Sequence, residues 1–195
     1  MHQVRCEECR DLTLSYDIIH YGSMEDSYKQ LCTRCYNAEV AARCELDDFE
    51  HVELEPVMMR DKKGVEHIFH FRTRLFGTGV AIDAFEIRDG VPGGYQFSVI
   101  GDPQDELLSL LGRLIQKMRR SLSVMYLEDT DLGVQIASDK SIVRGRIEWD
   151  QTSDISTPVL IVDGREIAWD EFGRMLMSFE GFQFKLEIHD QSDEV

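Results

Sequence analysis

Four of the five cysteines stand as two pairs, Cys6-Glu7-Glu8-Cys9 and Cys32-Thr33-Arg34-Cys35, with residues 10–31 between them. A C-x-x-C turn puts two sulfurs on one side of a tight loop. Two such turns supply the four thiolates of a tetrahedral zinc site. With four sulfurs bound, no coordination position is left for a reacting water, so the expected chemistry is structural. Disulfides or a redox dithiol would use the same residues. The N-terminal run Met-His-Gln-Val-Arg-Cys-Glu-Glu has no apolar stretch of the secretory kind. A disulfide within a C-x-x-C closes too short a loop to stabilise much. One Zn2+ on Cys6, Cys9, Cys32 and Cys35 is therefore the expected cofactor, and a reducing, cytoplasmic setting the expected location.

The elements around these cysteines must hold them. Residues 12–19 can form one arm of a hairpin, Gly22-Ser23 its turn, and residues 28–31 its return. After Cys35 the run Tyr36-Asn-Ala-Glu-Val-Ala-Ala-Arg-Cys lacks Gly and Pro and spaces Tyr36, Val40 and Cys44 helically. A knuckle, a hairpin and a second knuckle that opens a helix resemble the treble-clef class of zinc fingers over residues 1–46. The resemblance implies Cys6, Cys9, Cys32 and Cys35 as ligands. It does not fix a function, because treble clefs serve as nucleic-acid binders, protein-interaction modules and structural staples. Cys44 lies about half a turn around the helix from Cys35 and is expected as a small apolar core residue.

The chain carries 21 Lys and Arg against 37 Asp and Glu, a net charge of −16. Residues 1–50 hold five of the basic and eleven of the acidic residues. Four thiolates on Zn2+ add about two further negative charges. Such a module repels a phosphate backbone. At 195 residues with 43% hydrophobic content, the chain can bury a sizeable core. No apolar run reaches the length of a membrane span.

Residues 52–100 alternate apolar and polar positions between glycine-rich breaks. They predict strands over 52–60, 65–75, 80–88 and 95–100, joined as an antiparallel meander. His67 and His70 then point to opposite faces and do not form a metal pair. Gly77-Thr-Gly79 opens no helix and is not a dinucleotide loop. Asp102 as N-cap and Pro103 at the first position predict a long helix, whose Leu107, Leu111, Leu114, Met118 and Leu122 pack on the meander. Arg113, Lys117, Arg119 and Arg120 concentrate basic charge on that helix. They are the residues expected to meet an acidic partner, and the basis of an alternative reading as a nucleic-acid binder.

Glu128 to Asp131 reads as a polar break. Beyond it, strands are expected over 133–137, 142–149, 158–162 and 165–167, then a helix over 169–179 and a last strand over 182–188. Trp149 and Trp169 are expected as core anchors, and Asp190 to Val195 as a frayed tail. The expected fold is α+β in three parts: a zinc module over 1–46, a meander plus helix over 47–128, and an α+β unit over 129–195. Whether the last part shares the first sheet is open.

The expected function is a zinc-binding protein-interaction or regulatory adaptor with a protein partner and no membrane partner. Its oligomeric state is open. A hydrolase is a further alternative, requiring Glu53, Glu55, Asp83, Glu148 or Asp150 to converge on a cleft. The absence of a catalytic motif weighs against an enzyme.

Overall fold

A computed structural model describes residues 2–22, 27–46, 48–131, 133–150 and 157–193. The turn expected at Gly22-Ser23 and most of the loop after Asp150 run into residues outside that set. The protein is α+β, and all its strand pairs are antiparallel.

Strands β1 (Gln3–Arg5) and β2 (Leu12–Leu14) pair around the first C-x-x-C. Strands β3 (Ile18–Tyr21) and β4 (Lys29–Cys32) form a second ribbon, which feeds directly into helix α1 (Thr33–Arg43). Cys32 both ends β4 and caps the N-terminus of α1.

The central sheet has the order β5-β6-β7-β8, with β5 (Val57–Arg60), β6 (Glu66–Phe76), β7 (Gly79–Arg88) and β8 (Val91–Gly101). The first strand is shorter than residues 52–60, because Pro56 has no amide hydrogen to give to a ladder. In β6 the buried residues His67, Phe69, Thr73 and Leu75 share one face, as the alternation requires. Asp89 (φ 53°) and Gly90 (φ 83°) join β7 to β8 in a left-handed two-residue turn. That geometry favours hairpins, so β8 starts four residues before the expected strand.

Helix α2 (Leu107–Leu122) starts at the N-cap Glu106, later than Asp102. Asp102 Oδ1 instead accepts the Gln104 N–H (2.9 Å), and the Asp102 N–H donates to Asp105 Oδ2 (2.9 Å). These local bonds make a turn rather than a helical start. Leu110, Leu114, Met118 and Leu122 then recur at helical spacing and are buried with Phe69, Leu75, Ile82, Phe97 and Val99 of the sheet.

The C-terminal part begins with the hairpin of β9 (Leu127–Thr130) and β10 (Gly133–Ile136), so the expected polar break is itself a strand. Strands β11 (Arg146–Trp149), β12 (Pro158–Val162) and β13 (Arg165–Ala168) form a sheet of their own, not an extension of the central one. Helix α3 (Trp169–Leu176) and a 3-10 turn (Met177–Phe179) follow. Leu127, Ile136, Val162, Ile167 and Met175 make a second core.

Both tryptophans depart from expectation: Trp149 is 67% and Trp169 50% exposed. On β11 it is Arg146 and Glu148 that turn inward. They pair with each other, and Arg146 Nη2 donates to Gly94 O of the neighbouring sheet (3.3 Å). Pleating then turns Ile147 and Trp149 outward. The strand expected over 182–188 does not form: the run takes no helix or strand and pairs with none among the described residues.

Candidate metal centre and the cleft beside it

The first cysteine pair is set by backbone hydrogen bonds. The Cys6 N–H donates to Asp11 O (2.9 Å), and the Arg10 N–H to Cys6 O (3.0 Å). Arg10 takes the left-handed conformation (φ 67°) that lets the chain reverse after Cys9. The Glu7 N–H donates to Gln30 O (2.9 Å), which joins this turn to β4. The second pair rides on α1, with Cys32 at its N-cap and Cys35 in its first turn.

The four Sγ atoms all lie within 4.8 Å of one another, an arrangement able to hold a metal ion. Cys6 and Cys32 are buried, and Cys9 and Cys35 are partly so. Cys9 Sγ is 3.9 Å from Cys32 Sγ, and the Cys32 N–H points at Cys6 Sγ (3.3 Å). Burial pushes the Cys6 thiol up, but N–H donors from Cys32, Cys9 and Glu8 outweigh it and bring the thiol down to about 6. Burial drives Cys32 upward, and it drives Cys35 upward together with the crowding of the other thiols. Four sulfurs this close cannot all ionise without a cation among them. Arg34 at the rim is held protonated by its contact with Cys9 and by the nearby thiols, and it also pairs with Asp11 (3.1 Å). Cys44 stands outside the cluster, half-buried against the central core.

A cleft of about 420 Å3 opens between this module and β6, lined among others by Tyr16, Asp17, Thr33, Arg34, His51 and Arg72. Asn37 of α1 is fully buried and bonds two residues of the cleft lining, Thr73 and His51. Its Nδ2 donates to Thr73 O (2.7 Å), and its Oδ1 accepts the Leu75 N–H (2.8 Å). This orientation is unambiguous, so the second Nδ2 hydrogen is the one facing His51 Nδ1 (2.9 Å). His51 Nδ1 must then accept, which leaves its proton on Nε2. Burial lowers the His51 pKa, which favours the neutral ring. The Thr33 hydroxyl donates to Asp17 Oδ1. Burial raises Asp17 above the ordinary carboxylate range despite that bond. Arg72 crosses the floor, donating to Tyr16 O (2.8 Å) and to Asp83 (3.3 Å).

The carboxylates a hydrolase would need do not converge. Glu53 and Glu55 line the cleft. Asp83 accepts from Arg72, Arg74 (2.9 Å) and the Ser98 hydroxyl (2.9 Å), and Glu148 pairs with Arg146 on another sheet. Asp150 follows β11, away from the cleft lining. The basic residues of α2 are also partly committed. Lys117 Nζ donates to Ser98 O (3.1 Å), Gln191 O (2.7 Å) and Asp193 O (2.8 Å). Arg113 reaches Ile100 O (3.4 Å). Arg119 lines a shallow depression beside Arg60 and Lys62, and Arg120 is exposed. The tail expected to fray is thus tied to α2 as far as Asp193.

Nothing in the sequence marks Tyr16 and Asp17, which share one 3-10 turn (Ser15–Asp17), as cleft partners of His51, which lies between α1 and β5; tertiary packing brings them together.

Three family models match consecutive stretches of the chain, each described only as a domain of unknown function: DUF7685 over residues 5–47, DUF7686 over 50–123 and DUF7713 over 126–193. No curated protein and no solved structure matches. No helix among the described residues is long and apolar enough to cross a membrane.

Proposed function

We propose that Cys6, Cys9, Cys32 and Cys35 hold one structural Zn2+ in a treble-clef module, and that the protein is a cytoplasmic protein-interaction or regulatory adaptor. The observation that carries the metal reading is the closure of four thiols within 4.8 Å on a knuckle and a helix start. Four sulfurs complete a tetrahedron and leave no open position, which is why the metal's role is structural. Zinc suits an all-thiolate, tetrahedral donor set. The order of knuckle, β3–β4 ribbon and α1 supports the treble-clef assignment. The three matched stretches, 5–47, 50–123 and 126–193, support three units with boundaries near 46 and 128.

The adaptor reading draws on the cleft between α1 and β6, which offers hydrogen-bond donors and carboxylates to a partner. Its partner is a protein rather than a nucleic acid, because the net charge of −16 opposes phosphate and Lys117 spends its donors on backbone carbonyls.

Elemental analysis of the purified chain and of a Cys32→Ser/Cys35→Ser variant tests the metal. One zinc per chain is expected, lost in the variant while the central sheet keeps its far-ultraviolet dichroism. A structural zinc contributes about 10–16 kcal/mol in small finger peptides, so chelation should unfold the N-terminal module. A chain without zinc overturns the reading. Affinity capture from a cell extract tests the adaptor role, and recovery of nucleic acid instead of protein would overturn it.

A further inference from the structure

Residues 182–189, a strap that belongs to no helix or strand, are all exposed. Phe182, Phe184, Leu186 and Ile188 are 75%, 92%, 74% and 72% exposed. Soluble proteins seldom leave so regular an apolar stripe in water. The strap is nevertheless fixed at both ends. The Phe182 N–H donates to Phe179 O (3.0 Å) behind Gly181, and Lys117 of α2 holds Gln191 O and Asp193 O. Among the described residues, no backbone hydrogen bond ties residues 183–189 to another segment. The segment is held at both ends, and in an extended conformation its sequence would set Phe182, Phe184, Leu186 and Ile188 on one face and Gln183, Lys185, Glu187 and His189 on the other.

We propose that this strap is a self-association surface, pairing antiparallel with the same strap of a second copy about a two-fold axis at Leu186. The sequence is complementary to itself about that residue. Leu186 meets its own copy, Phe184 lies opposite Ile188, and Gln183 lies opposite His189. Lys185 lies opposite Glu187 on both sides of the axis. Two apolar pairs and two opposite-charge pairs are the cross-strand contacts that stabilise an antiparallel ribbon. A two-fold interface must place one patch against itself, which this register does without a like-charge contact. A register centred one residue earlier would set Lys185 against Lys185.

In this register Phe184, Leu186 and Ile188 gather on one face of the ribbon, while Phe182 lies opposite Asp190. A two-stranded ribbon alone is marginal. Trp149, Trp169 and Met177 of the same unit, each at least half exposed, supply further apolar surface for it to close against. The pairing does not depend on the metal.

The test is a charge reversal on the full chain, read by sedimentation equilibrium over a dilution series. The unaltered protein is expected to reach twice the mass of the chain. Lys185→Glu or Glu187→Lys alone sets like charges opposite at two symmetry-related places and should weaken dimerisation about tenfold or more. The double variant Lys185→Glu/Glu187→Lys restores opposite pairs and should recover dimerisation. Both side chains are more than half exposed, so thermal melts of all variants should match the parent's monomer signal. A parent that stays monomeric at every concentration overturns the proposal. So does a double variant as weak as the singles, which would place the contact elsewhere.

Discussion

At the scale of single residues, Asn37 is a buried polar group whose bonds tie α1 to β6. Its amide gives both hydrogens and takes one, to Thr73 O, His51 Nδ1 and the Leu75 N–H, from a fully buried position. It occupies the edge of β6 as a short piece of strand would, and so joins α1 to the central sheet. Asn37→Ala should cost about 2–4 kcal/mol, because it leaves a buried carbonyl and a buried N–H unsatisfied. Urea unfolding followed by fluorescence measures this. A loss below about 0.5 kcal/mol would mean that water replaces the amide and that the joint is not tight. The same change frees the His51 ring to take either tautomer, so its nitrogen chemical shifts should change as well.

At the scale of elements, helix α2 closes the central core through Leu110, Leu114, Met118 and Leu122, none more than 2% exposed. Leu108 lies on the opposite side at 78% exposed. Leu114→Ala should therefore cost about 2–5 kcal/mol through a cavity against the sheet, whereas Leu108→Ala should stay within about 0.5 kcal/mol. Chemical denaturation of the pair checks the orientation of the helix. Equal costs would mean that α2 is rotated from the position described. The helix binds a second element too, since Lys117 anchors the tail that follows the strap.

For the whole molecule, the net charge of −16 acts against compactness. Exposed ion pairs such as Arg43–Glu39 and Arg60–Glu66 contribute little each, so long-range repulsion should dominate the response to salt. Raising NaCl from about 20 to about 200 mM shortens the screening length about threefold. The thermal midpoint at pH 7 should rise by a few degrees, as measured by scanning calorimetry. A fall would show that favourable ion pairs outweigh the repulsion.

The residue types alone determined the cysteine cluster, because a C-x-x-C turn is local and two of them define their own partners. Period-2 alternation likewise determined strands β6 and β7 and the buried face of β6, since pleating converts spacing directly into sidedness. The stripe of α2 was legible for the same reason. Its start was not, because Asp102 and Asp105 formed a turn that only their mutual geometry could favour. The cleft beside the cysteines was invisible, as its residues meet only once α1 docks on β6. Alternation also misplaced Trp149 and the 182–188 run. It reports which side chains share a face, but not which face finds a neighbour. Tertiary structure decided that: Arg146 bonded across to Gly94 and took the inner side of β11, and among the described residues no strand came to lie beside Phe184.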